Sequence, residues 1–136
     1  MARKSWREKF DDKRPREVKS APKDFADIKA GQLMLLTTPR DVAALVQSVP
    51  KGHEIDIKAL RAGLAREAGA EIACPVVTGI HLRTVAEVAG EELEAGVPAR
   101  SVVPVWRIVG PKTAIWKKLE HGRAQFLKLR QSEGLS

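Results

Sequence analysis

Three capped, apolar-periodic segments in close succession constrain this chain more than any other feature. In "TTPRDVAALVQSVPKG" Thr38 is placed to accept hydrogen bonds from first-turn N–H groups. Pro39 follows at the first helical position, where no N–H is needed, and Asp41 puts a carboxylate near the positive end of the helix. Val42, Leu45, Val46 and Val49 recur at helical spacing, and Pro50 with Gly52 stops the run. "HEIDIKALRAGLAREAGA" repeats the pattern: Asp56 caps, Ile57, Leu60 and Leu64 form the stripe, and Gly69 terminates, which predicts a helix over 57–68. "ACPVVTGIHLRTVAEVAGEELEAG" starts a third helix at Pro75, with Val76, Val77, Ile80, Val85 and Val88 as its apolar positions.

The third helix contains Gly79. A mid-helix glycine costs about 1 kcal/mol relative to alanine, so close packing or close approach of another molecule has to offset it. Two helices joined by a tight, glycine-containing link are the pattern of a helix-turn-helix, whose second helix enters a groove of DNA, although ordinary helical hairpins share the spacing.

The rest adds little regular structure. Leu33 to Leu36 form an apolar run, and Ser101–Val109 reads as a strand that Pro104 confines to an edge or an irregular stretch. Gly110-Pro111 turns the chain, and a closing helix is expected over about 122–132, with Ala124, Leu127 and Phe126 inward and Gly134 at its end. At 136 residues the chain has room for one core. The expectation is therefore a mainly α fold with a small β element. No apolar run reaches membrane-span length, and "MARKSWREKFDDKR" lacks the apolar stretch of a secretory signal, so a cytoplasmic location is expected. Cys74 is the single cysteine, and His53, His81 and His121 show no ligand spacing, so neither an internal disulfide nor a metal or other cofactor is expected.

The net charge of +7 is unevenly spread. Residues 1–32 hold ten Lys/Arg against six Asp/Glu with little periodicity, which reads as a basic N-terminal arm before a domain at 33–136. Trp6, Phe10 and Phe25 suit docking of part of this arm on the core, while its cations suit a phosphate backbone. Arg107, Lys112, Lys117, Lys118, Arg123, Lys128 and Arg130 face only Glu120 in their stretch, whereas Glu87, Glu91, Glu92 and Glu94 cluster without a base. Such polarity suits a polyanion on the basic side, and equally an ordinary solvated surface.

From Leu33 onward the chain resembles the DNA-binding domain of methylated-DNA–protein cysteine methyltransferases and their alkyltransferase-like relatives, which act on O6-alkylguanine. "VAALVQSVPKGHEIDIKALRAGLA" resembles the family's VY.LV..IP.G.V.TYG.IA..LG, and the helix around Thr78-Gly79 resembles RAVG.AL. "VPVWRIV" resembles IPCHRVV, and "HGRAQFLKLRQSEG" resembles GG...Q..LL..EG. The resemblance implies a winged helix-turn-helix, a monomer, and double-stranded DNA as partner. It also implies that the family's reactive strand survives here as a vestigial alkyl pocket of Pro104, Val105, Trp106 and Arg107. Val105 stands where the alkyl-accepting cysteine would be, and Trp106 where the histidine base would be. Valine accepts no alkyl group, and an indole N–H activates no thiol. Ile57 falls where the family has a tyrosine that turns the target nucleotide, and Val76 falls near its intercalating arginine, a role Arg83 takes in a shifted alignment.

The function implied is non-covalent DNA binding, as a sensor of alkylated or damaged bases or as a general binder. Thr78, Gly79 and Arg83 would lie at the groove, Lys58 and Arg61 at the backbone, and Lys112, Lys117 and Lys118 with Arg123 on a basic wing. Each has an ordinary alternative. Gly79 suits helix packing, Arg107 a folded-in hydrogen-bonding role, and Trp106 either core or a platform for an extruded base. Two other functions stay open: alkyl transfer by Cys74, whose place before Pro75 suits a helix N-cap or a small buried residue, and a protein-interaction module that has lost DNA.

Overall fold

In the computed structural model, which describes residues 3–135, the capped segments form the expected helices. The elements in order are α1 (Trp6–Phe10), β1 (Glu17–Ser20), β2 (Leu33–Leu36), α2 (Pro39–Gln47), α3 (Ile57–Ala68), β3 (Ile72–Ala73), α4 (Pro75–Glu94) and α5 (Arg123–Ser132). The fold is mainly helical, with a three-stranded sheet in the order β1-β2-β3. Thr38 Oγ1 accepts from Asp41 N at 3.2 Å and Asp56 Oδ1 from Ala59 N at 2.7 Å, so both predicted caps close their helices. Gly69 takes the left-handed conformation that ends α3 (φ 71°).

β1 and β2 are antiparallel, pairing Val18 with Leu35 and Lys19 with Met34, while β3 runs parallel to β2 through Met34–Ile72 and Leu35–Ala73. The domain boundary expected at 33 therefore falls inside a β-hairpin. Residues 3–32 also carry α1, which packs against α4, and they bury Ala21 and Ile28 beside Met34 and Cys74 in a small second core. Hydrogen bonding to β2 holds a segment whose own apolar periodicity is weak. The main core gathers Val42, Val46, Leu60, Leu64, Leu82, Val85, Val105, Trp106, Val109 and Phe126 around α4.

Two expectations are corrected. Ser101–Val109 is not a strand: it forms 3-10 turns at Ala99–Ser101 and Val105–Arg107, with Arg107 N on Pro104 O at 3.0 Å and Val109 N on Val105 O at 2.8 Å. Backbone groups satisfied locally need no ladder, and Pro104 has no N–H to offer one. In α5 it is Phe126 and Arg130 that face inward, while Ala124 and Leu127 are exposed. The Gly122 turn that enters this helix sets a phase the apolar letters alone do not reveal.

Thr37, at the end of β2, is 4% exposed and its hydroxyl has no hydrogen-bond partner among the described residues. Leaving a buried hydroxyl unpaired costs about 1–3 kcal/mol, and valine has nearly the same shape. Thr37→Val is therefore expected to raise unfolding stability by about 1 kcal/mol, measured by urea denaturation.

Candidate nucleic-acid interface

α4 changes character along its length. From Thr84 to Gly90 every residue is buried, whereas its first turns keep one open face, with Val76 60% and Ile80 57% exposed. Gly79 lies on that face, and a Cβ built on it meets nothing within 4 Å. Helix packing is thus not what calls for glycine there. Val76, Gly79, Ile80 and Arg83 stand at i, i+3, i+4 and i+7, one continuous stripe. Of the apolar positions read along this helix, Val85 and Val88 are buried with Leu82, Ala86 and Ala89, whereas Val76 and Ile80 are exposed.

Thr78, expected at the groove, is fully buried and donates through Oγ1 to Cys74 O at 2.7 Å. Arg83 ends the stripe but is occupied: Nη2 bonds Lys118 O at 2.8 Å and Glu120 at 3.3 Å, Nε bonds Glu87 at 3.3 Å, and the guanidinium lies 5.0 Å from the centre of the Trp6 ring. Arg61 is likewise committed. It makes a bidentate pair with Asp27 at 2.9 and 2.8 Å and donates twice to Ala73 O, so it pins α3 to the hairpin loop and to the end of β3. This guanidinium, chiefly by hydrogen bonding, lowers the Asp27 pKa.

Lys58, Lys112, Lys117 and Lys118 are exposed, and none makes an ion pair among the described residues. Lys117 and Lys118 end a 3-10 turn, Ala114–Lys118, so they sit on no β wing. The Arg83–Lys118 bond places that turn at the end of the α4 stripe, and Lys58 lies one helical turn before Arg61 on α3. Lys112 lies apart, on a cleft of about 560 Å³ whose walls include Ile57 and Ile108.

Pro104, Val105 and Trp106 are buried, Val105 at 0% and Trp106 at 2% exposure. Trp106 Nε1 donates to Glu133 at 2.8 Å, while Arg107 grips the same carboxylate at 2.9 and 3.0 Å and donates to Val49 O at 2.9 Å. Arg130 Nη1 reaches Trp106 O at 2.8 Å and pairs with Glu54 at 2.6 Å. The segment is a lock between the two ends of the core, with Trp106 stacked on Phe126, and it offers no open pocket or free indole face for a base. Of the alternatives for Arg107, the folded-in role is the one observed.

Burial pushes the Glu133 carboxyl up, but bonds from Arg107, Gly52 N and Trp106 outweigh it and hold the pKa at about 2. In the sequence Glu133 carries no signal beyond its place in the C-terminal "EG" that resembles the family's last motif. Glu87, one of a cluster of acidic residues in the sequence, is 0% exposed and accepts from Glu120 N and His121 N at 3.0 Å.

Cys74 is buried in the small core and makes no side-chain cap bond. His53 is exposed, burial lowers the pKa of His81, and the Glu94 carboxylate raises that of His121. Among the described residues no three His, Cys, Asp or Glu side chains gather as metal ligands, and no helix is long and apolar enough to cross a membrane. Compared with known protein families, curated proteins and solved structures, the chain matches none.

Proposed function

We infer that the protein is a monomer that binds double-stranded DNA without covalent chemistry, using α3 and α4 in the manner of a winged helix-turn-helix related to alkyltransferase-like proteins. The observation that carries this reading is Gly79. It faces open space on an exposed stripe of α4, whose following residues Thr84–Gly90 are buried, and the turn carrying Lys117 and Lys118 meets the end of that stripe at Arg83. A backbone bare of side chain lets another molecule come close, and exposed lysines beside it suit phosphates. Val76 and Ile80 offer apolar contact, of the kind thymine methyl groups accept in the major groove. With Arg83 and Arg61 engaged in the fold, most of the affinity comes from phosphate contacts, which favours a general or shape-reading binder over a strict base reader. Alkyl transfer has no support: the one thiol is buried and Val105 is inert.

Gly79→Ala separates function from stability. Alanine fits the space and is expected to stabilise the helix by about 0.5–1 kcal/mol, while duplex affinity falls severalfold because the added methyl holds the DNA off. Undiminished affinity, measured by fluorescence anisotropy, would remove α4 from the interface. Lys117→Ala combined with Lys118→Ala is expected to weaken binding to all sequences alike and to lower the slope of log K against log salt by roughly 1–2 units. Duplexes with and without O6-methylguanine in the same salt series distinguish a lesion sensor, which keeps a preference at higher salt, from a general binder, which shows none.

The exposure of Val76 and Ile80 also favours a second reading, a protein-docking face. That reading predicts no duplex affinity even at low salt.

A further inference from the structure

Between residues 4–17 and α4 the fold leaves a groove of about 440 Å³. Leu36, Val77 and Ile80 supply its apolar surface, with Thr37 and His81 among them. Lys4, Lys9 and Arg14 stand at its basic rim. α1 packs against α4 through Phe10 on the main core, Trp6 on Arg83 and the half-exposed pair Arg7–Glu92 at 2.9 Å, and leaves the groove open along Lys4, Lys9 and residues 12–17.

One observation points to an occupant, the charge of the rim; the Thr37 hydroxyl, although its residue lies in the groove wall, is buried below the surface of the groove. The rim charge is unbalanced. Asp12 is already held by Arg14 at 2.9 Å, which leaves Lys4 and Lys9 against Glu17. Lys4 makes no ion pair among the described residues, and the Lys9 ammonium rests 4.2 Å from the centre of the Trp6 ring rather than on a carboxylate. Burial, with the nearby Arg14 charge, lowers the His81 pKa, which disfavours a further positive charge on the groove wall. A largely apolar hollow with a few convergent polar groups is the usual form of a small-molecule site.

We propose that this groove binds a small organic carboxylate, its hydrocarbon or aromatic body against Leu36, Val77 and Ile80 and its anionic end at Lys4 and Lys9. Such a ligand ties the N-terminal segment to α4 and covers Ile80, so it competes with any macromolecule that uses that face. The site itself does not depend on the DNA reading, because its test contains no DNA.

The test is a titration of the full chain with sodium decanoate below its micelle concentration, followed residue by residue in ¹H–¹⁵N spectra. Saturable shifts centred on Thr37, Val77, Ile80 and His81 are expected, with decyltrimethylammonium binding at least about fivefold more weakly. Lys4→Glu changes an exposed residue outside every helix and strand and leaves the circular dichroism unchanged. With Lys9→Glu added it is expected to cost about tenfold in decanoate affinity, and Lys4→Glu alone severalfold. Unsaturable shifts scattered over the surface, equal affinity for the cationic amphiphile, or full affinity in Lys4→Glu each overturn the proposal.

Discussion

Replacing Glu133 by alanine is expected to lower the free energy of unfolding by about 3–5 kcal/mol, a large part of the stability of a domain this size. One carboxylate satisfies Trp106 Nε1, two nitrogens of Arg107 and the Gly52 amide. Without it the Arg107 charge, 15% exposed at the side chain, stays in place with only the Val49 carbonyl as partner. The indole N–H of a 2%-exposed tryptophan is stranded with it. The pH dependence has a definite sign. The folded pKa of about 2 lies below the ordinary 4.5, so the stabilisation is complete above the ordinary value and is lost as pH falls towards 2. Urea unfolding from pH 5 down to pH 2 should therefore show the wild-type advantage over Glu133→Gln shrinking with acid. A constant gap would mean that packing, not the charge, holds the lock.

The second large effect concerns a glycine in the same helix as Gly79, with the opposite outcome. A Cβ on Gly90 comes 2.5 Å from His121 O, 2.6 Å from His121 C and 3.0 Å from Gly122 N, all backbone atoms that no rotamer change can move. The loop cannot retreat either. Glu87 accepts from the Glu120 and His121 amides, and Glu94 accepts from Gly122 N at 2.8 Å. Gly90→Ala is thus expected to cost about 2–3 kcal/mol, the strain outweighing the gain in helix propensity of under about 1 kcal/mol. Measured beside Gly79→Ala by the same denaturation, the pair should move apart by roughly 3 kcal/mol. Equal midpoints for the two variants would contradict the close approach of α4 and the loop before α5.

The two glycines also mark how far the sequence can be read. Both interrupt one apolar-periodic segment, and in sequence either suits close approach; only the neighbours in space separate a packing glycine from an open one. Helix bounds were legible because their causes are local. Thr38, Pro39, Asp56, Gly69 and Pro75 act within one turn of themselves, and α3 matches 57–68 residue for residue. The strand expected at Ser101–Val109 failed because its Val and Ile content reports burial, which a 3-10 turn achieves as well as a ladder does. A small β element is present as expected, but its place escapes the sequence for the complementary reason. Glu17–Ser20 is exposed throughout and has no alternating pattern, so its strand state follows from its partner, Leu33–Leu36.

The candidate site divides in the same way. Lys58, Lys117 and Lys118 are exposed, as charge alone places a lysine at the surface. Arginine carries no such guarantee, because five donors in a fixed fork serve a carboxylate or carbonyl inside the fold as readily as a phosphate outside it. Apart from the Arg83–Glu87 pair within α4, the hydrogen-bond partners of Arg61 and Arg83 lie 12 to 37 positions away in the chain. By itself the sequence determined α2 and α3 with their caps, the start of α4 at Pro75, the inert residue at Val105 and the basic surplus, because capping, side-chain chemistry and charge are properties of single residues or of one turn. The tertiary structure alone decided which arginines remain available, which glycine is open and what Glu133 and Glu87 hold, because each depends on atoms brought together from distant parts of the chain.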